Sequence, residues 1–506
     1  MRRLSRNVFF KVLAVCLFAI TTSVSVAETE TDYMAILMQG KKIGHAVHTR
    51  AVKDGKVTTT DQIAMTLGRG GQAVTITSQE THIETPDGKP LGFEMTLTTS
   101  GTEQKTVGTV ANGKVTTTRQ VMGQPQERTI DWPQGALLNE GLRLLQEKQG
   151  LKAGTSYTAS VFRPDMMMAL PAQVQVGEMK EIDLFGRPLN LTEVITTLSI
   201  QGQPITMTGY VDKEFKALKT LVPMMGMQME MVACDKSFAL SDVDSVDFLE
   251  KLSIASPVKL MNLHTIESVS YTLKPTTDKK LQLPVSPCQR VEQSETEIIV
   301  TVTRLKPAKD IPLPYKGDDP NALDALKPTD YLQADNEKVI DLAKTAVKEA
   351  PDTAAAASQI EAFVDGYITQ KDLSVGYASA AEVAETRQGD CSEHAVLAAA
   401  MCRAVGIPAR IVCGVVYADS FLSKQSIFGG HMWVEVYIGD TWVGLDATRS
   451  EQGGFGLGHI ALARGNGEPT DFFGLVNTLG CFEIEKITLI EKKETPETET
   501  ETQNGE

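Results

Sequence analysis

Three residues of this chain have the types and the order that suit nucleophilic acyl transfer: Cys391, then His431, then Asp446. Cys391 lies near the start of GDCSEHAVLAAAMCRAVGIPAR, whose apolar run from Ala395 to Cys402 and stop at Gly406, with Pro408 beyond, predict a helix capped at Asp390 or Cys391. A cysteine there faces unpaired amide N–H groups and the positive end of the helix dipole. Both favour the thiolate and lower the thiol pKa. The thiolate also needs a base, and the base an orienting group. His431 opens HMWVEVYIGDTWVGLDATRS, in which alternation and the Gly439-Asp440 turn predict a β-hairpin. A short turn folds Asp446 back beside His431, where a carboxylate can hold the imidazole tautomer.

The neighbouring residues carry less. His394 follows Cys391 by one turn, but no further Cys/His cluster has zinc spacing, so it reads as packing rather than as a metal ligand. Cys402 lies three turns along the same helix, roughly 16 Å away and too far for a disulfide with Cys391. Cys402 and Cys413 read as small buried apolar residues. His459, in GLGHIALARG, reads as a structural loop histidine able to line the cleft. Trp433 and Trp442 belong to the hairpin core. The backbone N–H of Cys391 is the expected first oxyanion donor, with Gln388 and Trp433 as candidates for the second.

These residues need a rigid frame. Helical periodicity at Val339, Leu342, Ala343 and Val347, and again at Ile360, Phe363, Val364 and Ile368, predicts two helices before the cysteine helix. Together with the hairpin they form a C-terminal domain over 330–490. The segments GDCSEHA, RAVGIPARIVCGVVY, HMWVEVY and, after Trp442, LDAT resemble in that order the transglutaminase-like superfamily, over 331–490. The resemblance implies a papain-related α+β fold, with Cys391 as nucleophile, His431 as general base and acid, and Asp446 as orienting group. It implies an amide-bond acyl transfer on a protein or peptide substrate through a thioester; no cofactor and no metal are expected. Water or an amine can resolve that thioester. A peptidase or amidase is expected, with an amine-transferring cross-linking enzyme as the alternative. Two positions depart from the family pattern: Met432 replaces a small residue, and Ala447 replaces a proline after Asp446. A third reading, from a different class, is a non-catalytic scaffold or ligand-binding protein.

The rest of the chain sets the context. From Tyr33 to about Leu240, Thr and Val alternate and Asp54-Gly55, Asp87-Gly88 and Asn112-Gly113 mark tight hairpins, so 28–250 is read as a large antiparallel β-rich domain. One helix, in PQGALLNEGLRLLQEKQG, interrupts it and stops at Gly150. Met225, Met227, Met229 and Met231 fall at period two on one strand face, a pattern open to Cu(I) but read as an adaptable apolar filler. LKAGTSYTASVFRP gives this region a likeness to periplasmic proteins with curved sheets that hold lipid, which implies an apolar ligand there; a spacer or a substrate-presenting platform is the other reading. Residues 251–329 form a β module ending in a Pro-rich linker, and the acidic tail 491–506 has no apolar residue to bury. Arg2, Arg3 and Arg6, an apolar run, and Ser25-Val26-Ala27 form a signal peptide over 1–27, which places the mature chain in the periplasm or outside the cell. After cleavage no segment is long enough to span a membrane. The net charge of -15 disfavours nucleic acid as a partner.

Overall fold

The computed structural model describes residues 29–491 except 100–101, 122–123, 201–202, 245, 279, 295, 374–376, 469 and 472. The signal segment and nearly all of the acidic tail therefore lie outside the described residues. The molecule is α+β, with a large antiparallel N-terminal sheet preceding a helix-and-sheet C-terminal domain.

The N-terminal sheet has fifteen strands, and its spatial order follows from the chain path. Thr29–Met38 lies in the middle, paired on one side with Lys41–Lys53 and on the other with Met227–Cys234. Successive hairpins run outward to Gln124–Asp131 at one end and to Ser156–Arg163 near the other, where Ala136–Leu137 adds a short parallel edge strand. Those two ends are consecutive in sequence, so a connection of a few residues forces the sheet to curl until its edges approach. Side chains seal the seam: the Trp132 and Phe162 rings lie 4.4 Å apart, and Phe93 packs against Phe162 at 5.7 Å. The predicted helix is Asn139–Gln149, held to the sheet by Glu84 accepting the N–H groups of Glu140 and Gly141 and by Arg50 donating to Glu140.

The methionine row divides. Met229 and Met231 are buried in the core, as the filler reading expects, while Met225 has a left-handed backbone in the turn between Ala217–Met224 and Met227–Cys234. It therefore leaves the shared strand face.

In the C-terminal half, helices Thr353–Tyr367 and Cys391–Ala404 pack on a sheet of Ala409–Phe421, Lys424–Ile438, Thr441–Leu445, His459–Gly465 and the short strand Ile254–Ala255, and Glu337–Ala346 packs against both helices. The cysteine helix is buried along nearly its whole length, which explains a run of apolar residues with no polar face. A third sheet pairs Ile266–Pro275 with both Ile298–Thr303 and the last strand, Phe482–Glu491. The small β module is thus completed by a strand from far along the chain. No helix among the described residues is long and apolar enough to cross a membrane.

Candidate active site

Asp390 caps the cysteine helix: its carboxylate accepts the Ser392 N–H, while Glu393 reaches back to the Asp390 N–H, a reciprocal capping box. Cys391 is therefore the first helical residue. Its sulfur faces the backbone N–H of Met432, the residue after His431, so the strand carrying the imidazole runs directly past the thiol. Cys391, His431 and Met432 line one cavity. The Met432 side chain packs into the hydrophobic core, which accommodates a residue larger than the family pattern expects.

His431 and Asp446 come together as the hairpin predicts. Val434 pairs with Leu445 across the Gly439-Asp440 turn, and His431 Nε2 lies 2.7 Å from Asp446 Oδ2. With the carboxylate accepting, Nε2 carries the proton and Nδ1 is the nitrogen left for the thiol. Asp446 also caps the 3-10 turn Ala447–Gln452 by accepting the Thr448 N–H at 3.1 Å, so Ala447 keeps this turn ordered without a proline. The Asp446 N–H donates to Glu361 at 2.8 Å.

His459 belongs to the same cluster. Its Nε2 lies 2.9 Å from the same Asp446 oxygen, so one carboxylate holds two imidazoles. Strand pairing brings it there: Ala409–Phe421 has the His431 strand on one side and His459–Gly465 on the other, with Gly414 opposite His431 and Val416 opposite His459. Gly414 permits the approach, since a Cβ there would sit 2.1 Å from the Ile460 carbonyl oxygen and 2.7 Å from the Trp433 ring. From its sequence His459 has only a structural loop role, because spacing along the chain does not reveal which strand becomes the neighbour. His431, Asp446 and His459 are also close enough together to hold a metal ion. Their hydrogen bonds already use both Nε2 atoms on Asp446 Oδ2.

Charge and burial set the resting state. Burial would raise the Asp446 pKa, but the charge and hydrogen bonds of His431 and His459 hold it far below the usual carboxylate range. Burial lowers the His459 pKa against the pull of Asp446, so this imidazole is neutral. The thiol departs from expectation: burial first, then the Asp390 charge, push Cys391 well above its ordinary pKa, with Arg69 and the Met432 N–H acting in the opposite direction. The helix N-terminus is present as predicted, yet burial and the Asp390 charge act against it at this sulfur. Two residues on, burial and Asp390 raise Glu393 to about 8.

Of the oxyanion candidates, the Gln388 amide donates to Asp372 at 3.2 Å, and the Trp433 Nε1 is buried without a hydrogen-bond partner, its ring 5.1 Å from that of His459. Trp433 backs the histidine pair instead of lining the cavity. His394 Nδ1 bonds the Asp390 carbonyl oxygen, a packing role. Cys402 and Cys413 are buried, and all six described cysteines are free. Arg69, from the N-terminal sheet, pairs with Asp390 at 2.9 Å and so reaches the cysteine cap from a distant part of the sequence. Nothing in the local pattern around Arg69 signals that contact.

Residues 340–447 match the model of the transglutaminase-like superfamily. The C-terminal domain is transglutaminase-like. The matched span holds Cys391, His431 and Asp446; His459 lies beyond it, on a strand of the same sheet. Solved structures give partial similarities. One, a candidate cysteine protease from Cytophaga hutchinsonii, is 18% identical, with a TM-score of 0.29 over 45% of this chain and 91% of that one. The periplasmic domain of TgpA from Pseudomonas aeruginosa is 13% identical, with a TM-score of 0.27 over 39% and 89%. A β-barrel-like DUF1849 protein from Brucella abortus is 14% identical, with a TM-score of 0.33 over 42% and 98%. No curated protein sequence matches the chain.

Proposed function

We propose that this chain is an exported thiol enzyme, periplasmic or secreted, that cleaves amide bonds in a protein or peptide. The observation that carries this reading is the convergence of Cys391 with Met432 and His431, and of His431 with Asp446, at one cavity. In the first step the Cys391 proton passes to His431 Nδ1, and the sulfur attacks the substrate carbonyl carbon. Asp446 stabilises the imidazolium that results. The tetrahedral intermediate collapses as the C–N bond breaks, and the leaving amine takes the proton from His431. This leaves a thioester on Cys391. Water then gives a proton to His431 and adds to the thioester carbon; the C–S bond breaks, the acid departs and the sulfur recovers its proton.

The raised thiol pKa suits this order, because proton transfer is coupled to substrate arrival and no standing thiolate is needed. An amine in place of water would give cross-linking. Among the described residues lining the cavity at Cys391, most are apolar and none is acidic, so nothing there attracts a cationic amine. Hydrolysis is therefore the favoured outcome. The direct test is incubation with a mixed peptide library and a labelled amine, with cleavage and incorporation scored by mass spectrometry for the wild type and Cys391→Ala. Cleavage that disappears in the variant supports the reading. Amine incorporation without cleavage would replace it with cross-linking, and no Cys391-dependent product at all would leave the scaffold.

A further inference from the structure

The cavity at Cys391 belongs to both halves of the molecule. It has a volume of about 240 Å³, and the N-terminal sheet contributes Val74, Ile76 and Met224 to its wall. Leu249 closes it from the short helix Phe248–Leu252, and Phe473 and Leu479 close it from the C-terminal side. Among the described lining residues, Arg69 is the one with a permanent charge, and its guanidinium is paired with Asp390 at 2.9 Å. The approach of the sheet is built in: the strand ending at Arg69 turns through Gly70 and Gly71, both with positive φ, and the Gly68 N–H bonds the Val246 carbonyl oxygen at 2.8 Å. A Cβ at Gly70 would lie 2.5 Å from the Leu373 side chain, so a bulkier turn would have to displace that leucine.

A wall of this kind rewards one sort of occupant. A polar or charged group entering it would lose its water and find almost no partner in exchange. An engineered apolar cavity of about 150 Å³ accommodates benzene, so the present one can take an aromatic ring or a long aliphatic group. The reacting carbonyl must sit at the sulfur, and the cavity begins there. Resting on the proposed thiol chemistry, we infer that the preferred substrate carries a large apolar group, aromatic or long aliphatic, within a few bonds of the scissile amide. The N-terminal sheet is accordingly part of the specificity site.

Chloroacetamides that differ only in their nitrogen substituent test this on the whole protein: the Cys391 sulfur displaces chloride, and the thiol proton is released with it. We expect hexyl and phenylethyl reagents to alkylate Cys391 at least about tenfold faster than the methyl reagent, and a carboxymethyl reagent no faster than methyl. Leu249→Glu should erase most of the hexyl-to-methyl rate ratio. Leu249→Trp, which fills the space without adding charge, should lower the same ratio by slowing the large reagents. Equal rates for methyl and hexyl, with Cys391 still labelled faster than Cys402 and Cys413, would overturn the pocket assignment and leave the thiol chemistry standing. Labelling of Cys391 no faster than those two buried cysteines with every reagent would overturn both. Turnover of peptides bearing Phe, Leu or Met against peptides bearing an alkyl chain then separates a side chain from a lipid as the natural apolar group.

Discussion

Both halves of the molecule bury histidines against carboxylates, and the two sets lie in different surroundings. In the N-terminal sheet, His82 lies 2.7 Å from Glu80 and His48 lies 2.5 Å from Asp61, whose other oxygen accepts from Asn139 at 2.7 Å. In the transglutaminase-like domain, His431 and His459 share Asp446. Burial opposes charge on His82, yet Glu80, Glu84 and Asp61 raise its pKa, so the carboxylates around it favour the charged imidazole. His459 is neutral, and His431 borders a cavity that also holds a thiol. A histidine–carboxylate contact therefore does not make a site. What sets the second pair apart is the thiol and the cavity beside it.

This contrast can be broken most sharply at the sulfur. Cys391→Ala should lower peptide turnover by about 10⁴-fold or more while leaving the thermal midpoint nearly unchanged, because a small half-buried side chain is replaced by a smaller one. Retained turnover would remove the functional difference between the two sets. Asp446→Asn should cost roughly 10³–10⁴-fold in kcat, since the amide can favour the wrong tautomer of His431. His82→Leu should leave kcat alone and instead destabilise the fold by roughly 3–5 kcal/mol, because Glu80 would remain buried without its hydrogen-bonded partner. Chemical denaturation of the variant measures that loss; a drop in kcat with unchanged stability would reverse the assignment. His459→Phe should have a milder effect on catalysis, with up to about a tenfold loss in kcat for one hydrogen bond to Asp446 and a shifted pH–rate profile.

A separate effect is on stability against pH. The folded-state pKa of His82 is raised, so its contribution is complete below its unfolded value of about 6.5 and is lost as pH rises through the folded value. Glu393, raised to about 8, acts in the same direction over a window that starts near its unfolded value of about 4.3. The urea midpoint should therefore decline from about pH 4.5 to about pH 8, and His82→Leu and Glu393→Gln should each flatten part of that decline. A midpoint that rises over this range would contradict both shifts.

Much of the site is legible in the sequence because its parts are local. The Asp390 cap, the Cys391 helix and the hairpin that joins His431 to Asp446 are each set by residues close along the chain, where caps, glycine turns and alternation act. His459 and Arg69 are not legible, since their roles depend on which strand lies beside Ala409–Phe421 and on where a distant hairpin docks. The thiol pKa escapes for the same reason: the helix end is visible in sequence, but the burial that outweighs it comes from the assembled cavity. In the N-terminal half, the hairpin turns and the alternating strands are readable, whereas the curl of the sheet depends on Thr29–Met38 pairing with Met227–Cys234, two strands far apart along the chain.

Because Phe482–Glu491 pairs with Ile266–Pro275, order in time matters as well as order in space. A chain emerging residue by residue cannot finish its third sheet until residues 482–491 have been made, about two hundred residues after the strand they pair with, and contacts of such long range form slowly. A polypeptide shortened before these residues would carry Cys391 while this sheet was still a strand short.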